Sequence, residues 1–259
     1  MKYHIDTIPV WDAIKLDGEC FLCALKRKTE LGEVDHYLGA SVMEPDTRIQ
    51  VNKKGFCCHH QRMLYAIDNR LGHALLLESH VSETRERLAH AVKQVKSAAK
   101  GASGASLKDR LTGKAPGAAQ QMENAAAALE ALTKSCIVCD SIEENMGRYL
   151  HTFFHLYQND TEFRKKFEGS KGMCIPHAAE LLRMAAGELP AKALPEFAET
   201  VCRLETEAFD RMQEDVSWFC RKFDYRNYDE PWYNSRDAVE RTVNKLRGWC
   251  VGTEPNPKE

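Results

Sequence analysis

Cys20-Phe21-Leu22-Cys23 is answered by Gly55-Phe56-Cys57-Cys58-His59-His60, and the same order of motifs returns as Cys136-Ile137-Val138-Cys139 and Gly172-Met173-Cys174-Ile175-Pro176-His177. The copies are offset by 116 residues at CxxC and by 117 at CxxH, so one insertion separates them. Two thiols at this spacing turn both sulfurs to one side of a turn. A histidine three residues after a cysteine at a helix start lies on the same face and reaches the same ion. Three thiolates and one imidazole complete a tetrahedral shell. The spacing therefore predicts two four-ligand sites: Cys20, Cys23, Cys57 and His60 in one half, and Cys136, Cys139, Cys174 and His177 in the other. Two zinc ions are the expected cofactors. The same ligands also hold iron–sulfur clusters, so two clusters stand as the alternative.

Outward from these motifs the sequence reads as helix. Leu31, Val34, Leu38 and Val42 recur at helical spacing, with Glu44-Pro45-Asp46 as the expected stop. Met63, Leu64, Ile67 and Leu71 form the stripe of a second helix, and Leu77, Val81, Leu88, Val92 and Val95 that of a third. In the second half Ile142, Met146, Tyr149, Phe153 and Tyr157 repeat the pattern. The run Leu194, Phe197, Val201, Leu204, Ala208, Met212, Val216 and Phe219 predicts one long helix. A last helix carries Val239, Val243 and Leu246, with Asn234 or Ser235 as its cap. The opening, through Leu16, reads as an extended arm and a short turn. No alternating segment of useful length occurs, so the expected class is all-α with little or no sheet: two pseudo-repeated halves, each pinned by its own metal site. The expected organisation is a first half at 1–100, a flexible linker at 101–117 rich in Gly, Ala, Ser and Lys, a second half at 118–251, and a disordered tail at 252–259.

A net charge of −2 with 29% charged residues describes an ordinary surface and argues against nucleic acid or an anionic membrane as partner. The start of the chain lacks a basic segment followed by an apolar run, and no stretch is long enough to span a bilayer, so a cytoplasmic protein is expected. Ten cysteines grouped in CxxC and CxxH point to reduced thiols. Cys58, Cys202, Cys220 and Cys250 fall outside the pattern and read as small side chains in or near the core. His151 and His155, with Glu144, read as a solvated or aromatic-packed helix face. The aromatic run from Trp218 to Tyr233 reads as a seam between helices. Arg226, Asn234, Arg236 and Asp237 suit either an anionic ligand or a buried ion pair. The two CxxH motifs also differ. Ile175 and Pro176 close one site, whereas Cys58 and His59 leave a spare thiol and a spare imidazole beside the other, where they would be reactive or bind a ligand.

These motifs resemble those of a bacterial family of unknown function, typical of anaerobes. Its members carry CxxC, GFCxxH, an NRLG-like segment, a second CxxC and CxxH, and a DYRN…NSRDAVER-like end. Here the last features read Asn69 to Gly72 and Asp224 to Arg241. The resemblance implies that both segments belong to the shared architecture or site, and it brings no activity with it. The sequence shows no catalytic triad, phosphate loop or nucleotide fingerprint. It thus favours a metal-pinned protein that binds a protein partner or a small ligand. An iron–sulfur redox protein and a metal-dependent enzyme using the first site are the alternatives.

Overall fold

A computed structural model of the chain describes residues 4–103 and 116–252. These form eleven α-helices with short 3-10 turns, and no strand occurs among the described residues. The expected linker and tail lie outside them, apart from the last turn of one helix, the start of the next, and Gly252. The chain divides into two compact units, Met1–Thr29 with Glu144–Glu259, and Glu30–Glu143. The expected limit between halves, near residue 100, therefore falls inside the second unit. The physical reason is that the two helices that follow the CxxC motifs, α2 (Phe21–Leu38) and α7 (Ile137–Asn159), each run across the division, so each half supplies both units.

The first unit holds α1 (His4–Lys15), the start of α2, most of α7, and then α8 (Thr161–Glu168), α9 (Ile175–Glu188), α10 (Leu194–Arg221) and α11 (Ala238–Arg247). Its core is aromatic: Phe153 stacks on Phe21 at 5.7 Å between centroids and meets Phe154, Phe163 and Phe167 edge-on at 5.0–5.5 Å. Such contacts add to the area these rings bury. Asp160 caps α8 by accepting from the N–H groups of Glu162 and Phe163. The stripe of α10 is buried as expected from Phe197 to Met212. The opening segment is a helix and not an extended arm. Val10, Ala13 and Ile14 share one face and are buried, and Trp11 meets Phe163 edge-on at 5.2 Å. That burial outweighs Pro9, which takes one hydrogen bond from the helix interior.

The second unit holds the end of α2, α3 (Pro45–Lys54), α4 (Cys58–Ala66), α5 (Arg70–Ser103), α6 (Pro116–Glu130) and the start of α7. Glu44 is extended ahead of Pro45, the stop expected there, and Pro45 itself begins α3, because at the first helical position its missing N–H would be unpaired anyway. The stripe expected to run through Leu71 breaks at Ile67, and Leu71 is exposed. Asn69 turns the chain there, accepting from Gly72 N–H at 2.9 Å and donating to the Leu38 carbonyl at 2.8 Å. Along α5 Gly72, His73, Leu76 and Ala91 are buried, whereas Val81 and Leu88, expected inside, are exposed. The side that leaves water is covered chiefly by α3 and α6.

The last helix is inverted relative to its expected stripe. Val239 and Leu246 are exposed, while Ala238, Arg241, Asn244 and Lys245 are buried, and Asp237 occupies the cap position. Apolar spacing misleads here because the buried face carries an ion network.

Candidate metal centres

All eight motif cysteines and histidines are brought into two groups, but the partition differs from the one expected. Centre I joins Cys20 and Cys23 to Cys174 and His177, and centre II joins Cys57 and His60 to Cys136 and Cys139. Each CxxC thus meets the CxxH of the other half. Helix lengths give the reason: α2 carries the chain about 27 Å from Cys20, and α3, the next helix, recovers at most about 15 Å before Cys57 is reached.

Every centre is built from two helix starts. Cys20 and Cys136 directly precede α2 and α7, while Cys57 and Cys174 are the N-cap residues of α4 and α9. Free N–H groups and the positive dipole ends therefore face the sulfurs and favour thiolates. In centre I the sulfurs of Cys20 and Cys23 lie 3.8 and 3.7 Å from that of Cys174, and His177 Nδ1 lies 3.1–3.4 Å from all three. In centre II Cys57 and Cys139 are 3.8 Å apart and His60 Nδ1 lies 3.2–3.4 Å from the three sulfurs. In both groups the ligand atoms all lie within 4.8 Å of one another, so each can hold a metal ion.

The loops entering the two centres are tied differently. Gly55 and Gly172, just ahead of the CxxH cysteines, have positive φ of 64° and 78°. A side chain at Gly172 would meet Glu205 Oε1 at 2.7 Å. At centre II the tie is backbone and hydroxyl: Ile137 N–H donates to the Gly55 carbonyl at 3.0 Å, and Ser135 Oγ to the Lys54 carbonyl at 2.7 Å. At centre I it is a buried ammonium. Lys245, fully buried, donates to the carbonyls of Lys171 at 2.7 Å and Glu19 at 3.1 Å, which are the residues just before Gly172 and Cys20. Burial pushes the Lys245 ammonium down, against the pull of Glu205 and Glu19.

An ion network surrounds that lysine. Glu19 receives a two-pronged bond from Arg211 at 2.7 and 2.6 Å and a third bond from Arg241 at 3.3 Å. Arg241 also reaches Asp215 and Asp237, each at 2.9 Å, and the carbonyl of Asn234. The Asn244 side chain holds the segment beyond α11 by accepting from the N–H groups of Cys250 and Val251 and donating to the Val251 carbonyl, and Trp249 N–H donates to Cys23 Sγ at 3.3 Å. Residues just beyond the NSRDAVER-like segment, Asn244, Lys245 and Trp249, thereby close centre I. At centre II a carboxylate takes the corresponding place: Glu30 Oε1 lies 2.8 Å from His59 Nε2 and 3.3 Å from His60 Nε2.

Charge in the metal-free groups follows from this packing. Burial opposes the His177 imidazolium, but Cys174 and Cys23 outweigh it and raise the group to about 10. Hydrogen bonds from Cys20, Cys23 and His177 hold Cys174 far below the ordinary thiol range, while burial pushes Cys20 well up. At centre II burial is again overcome at His60, raised to about 10 by Cys136 and Glu30. Burial is also overcome at Cys136, lowered to about 6 by His60 and by backbone N–H groups of Cys57 and Cys139. Burial and the Cys136 sulfur push Cys139 up to about 12. Three sulfurs and an imidazole this close together favour a metal ion, whose positive charge would offset the repulsion between neighbouring thiolates.

The remaining sequence candidates stand apart from the ligand groups. Cys58, Cys202, Cys220 and Cys250 are exposed, not core residues, because each falls on the outer side of its helix or in a surface segment. Arg226 pairs with Asp224 on the surface, and Arg236 lies over the Trp232 ring at 5.7 Å. Phe223, Tyr225, Tyr228 and Tyr233 are exposed, so the aromatic run is in large part surface instead of a seam. His151 pairs with Glu188 at 2.7 Å, and His155 belongs to neither centre. Sequence reasoning missed Glu19, Lys245, Glu205 and Glu30. The signals were the charge of Glu19 next to Cys20 and that of Lys245 just beyond the C-terminal motif.

This is an all-helical protein whose described residues carry two groups of three cysteines and one histidine, each able to hold an ion. The chain belongs to a family of unknown function (DUF6062), which matches residues 1–253. Comparison with curated proteins and with solved structures gives no match. No helix of the described residues is long and apolar enough to cross a membrane.

Proposed function

We propose that the protein is a cytoplasmic zinc protein in which two closed-shell ions pin pairs of helix starts, and that the scaffold so fixed binds a protein partner or a small ligand. The observation that carries the reading is the spacing of the ligand atoms. With metal–sulfur distances of about 2.3 Å and metal–nitrogen distances of about 2.0 Å, tetrahedral corners lie about 3.8 Å apart for two sulfurs and about 3.5 Å for sulfur and nitrogen. The Cys20–Cys174, Cys23–Cys174 and Cys57–Cys139 sulfur pairs, at 3.7–3.8 Å, and the sulfur–imidazole pairs, at 3.1–3.4 Å, suit a single ion. An iron–sulfur cluster takes its ligands on different irons and so spreads them around a larger body. Thiols grouped in this way also suit a reducing compartment. Purification without oxygen, followed by elemental analysis and a visible spectrum, is the test. Two zinc ions per chain and no visible absorption are expected; iron with sulfide and a broad visible band would overturn the reading.

A further inference from the structure

The two centres differ in what reaches their sulfurs. At centre I all four ligands are buried, and the Cys23 sulfur accepts a hydrogen bond from Trp249 N–H. At centre II Cys139 is exposed and Cys57 half-buried, their sulfurs 3.8 Å apart. Glu30, 3.3 Å from His60 Nε2, adds negative charge behind the imidazole and makes the ligand set a stronger electron donor. A thiolate that is exposed, electron-rich and next to a second thiolate is the kind that oxidants find first.

From this we infer that centre II is a modification site for hydroperoxides, at which Cys139 and Cys57 are oxidised to a disulfide and the ion is released, while centre I keeps its own. The inference rests on the zinc reading above. The Cys139 thiolate attacks the outer oxygen of the hydroperoxide. An S–O bond forms, the O–O bond breaks, and the alkoxide or hydroxide leaves with one proton. The Cys57 thiolate then attacks the Cys139 sulfur, forming S–S and expelling hydroxide, which leaves as water with a second proton. Two thiolates supply the two electrons and the peroxide accepts them. The ion is left with Cys136 and His60 alone, which is half of its shell, and dissociates.

The test uses the full chain with its metal content measured first, so that a failure of the zinc reading is separated from a failure of this one. Hydrogen peroxide is added to the two-zinc protein, and released zinc is followed with a colorimetric chelator. Peptide mass spectrometry then locates the oxidised sulfurs. One zinc per chain should leave about tenfold or more faster than the other, with a Cys57–Cys139 disulfide, and reductant plus zinc should restore the starting state. Cys58→Ser, outside the ligand shell, should release zinc as the unaltered chain does. Equal release of both ions would overturn the inference, as would retention of both while Cys58, Cys202, Cys220 or Cys250 is oxidised. A Cys136–Cys139 bond, or a Cys58→Ser chain that no longer releases zinc, would overturn the assignment of the reacting pair.

Discussion

Centre I and centre II carry the same ligands on the same kinds of element, yet they are held by opposite means. Centre II is tied by a backbone bond from Ile137 to Gly55 and faced by a carboxylate, and one of its cysteines, Cys139, is exposed. Centre I is tied by the buried ammonium of Lys245 and surrounded by Glu19, Arg211 and Arg241, with Trp249 N–H on one sulfur. The difference teaches that identical ligand spacing does not set a metal site's role. The groups behind the ligands decide whether the ion is enclosed in the core or offered to solutes.

The sharpest way to break this comparison is to remove one sulfur from each centre. Cys174→Ser leaves a fully buried group without its ion and should destabilise the protein by more than about 4 kcal/mol, because metal binding is coupled to folding. Cys139→Ser, at the exposed edge of centre II, should cost less, about 1–3 kcal/mol, and the exposed Cys202→Ser less than about 0.5 kcal/mol. Denaturant titration of the three variants gives the order; an equal cost at Cys139 and Cys174 would erase the distinction between the centres.

A smaller effect should come from the network behind centre I. Glu19→Gln removes the buried carboxylate that Arg211 and Arg241 share, and should cost about 3 kcal/mol at neutral pH by breaking the charged bonds from Arg211 and weakening the network around Arg241. Burial alone would raise the Glu19 carboxyl, but the Arg211 bonds outweigh it and hold it below its ordinary value of 4.5. A lowered carboxylate contributes stability above its unfolded pKa and loses it as pH falls through the lower folded value. The native chain should therefore lose stability relative to Glu19→Gln below about pH 4.5, and stability curves that stay parallel there would show that Glu19 is not the linked group.

The helical class and the eight metal-binding candidates were legible because both rest on local spacing: CxxC and CxxH fix two ligands each, and the α10 stripe from Phe197 to Met212 is buried as read. The pairing of the motifs was not legible, because it depends on where α2 and α7 carry the chain, and local spacing is blind to that. The last helix misled for a related reason. Arg241 and Lys245 are buried only because Glu19, Asp215 and the Glu19 and Lys171 carbonyls wait on the other side, and those partners are remote in sequence. The opening helix was missed because Pro9 argues against a helix locally, while the partner of Trp11, Phe163, lies in the other half of the chain.

The crossed pairing is the claim on which the rest depends, and the metal content of one variant tests it. Replacing all four centre II residues, as Cys57→Ser, His60→Ala, Cys136→Ser and Cys139→Ser together, leaves every centre I residue in place. The purified variant should retain one zinc per chain. If each half instead held its own ion, the same four changes would take two ligands from both sites, and the variant would retain none.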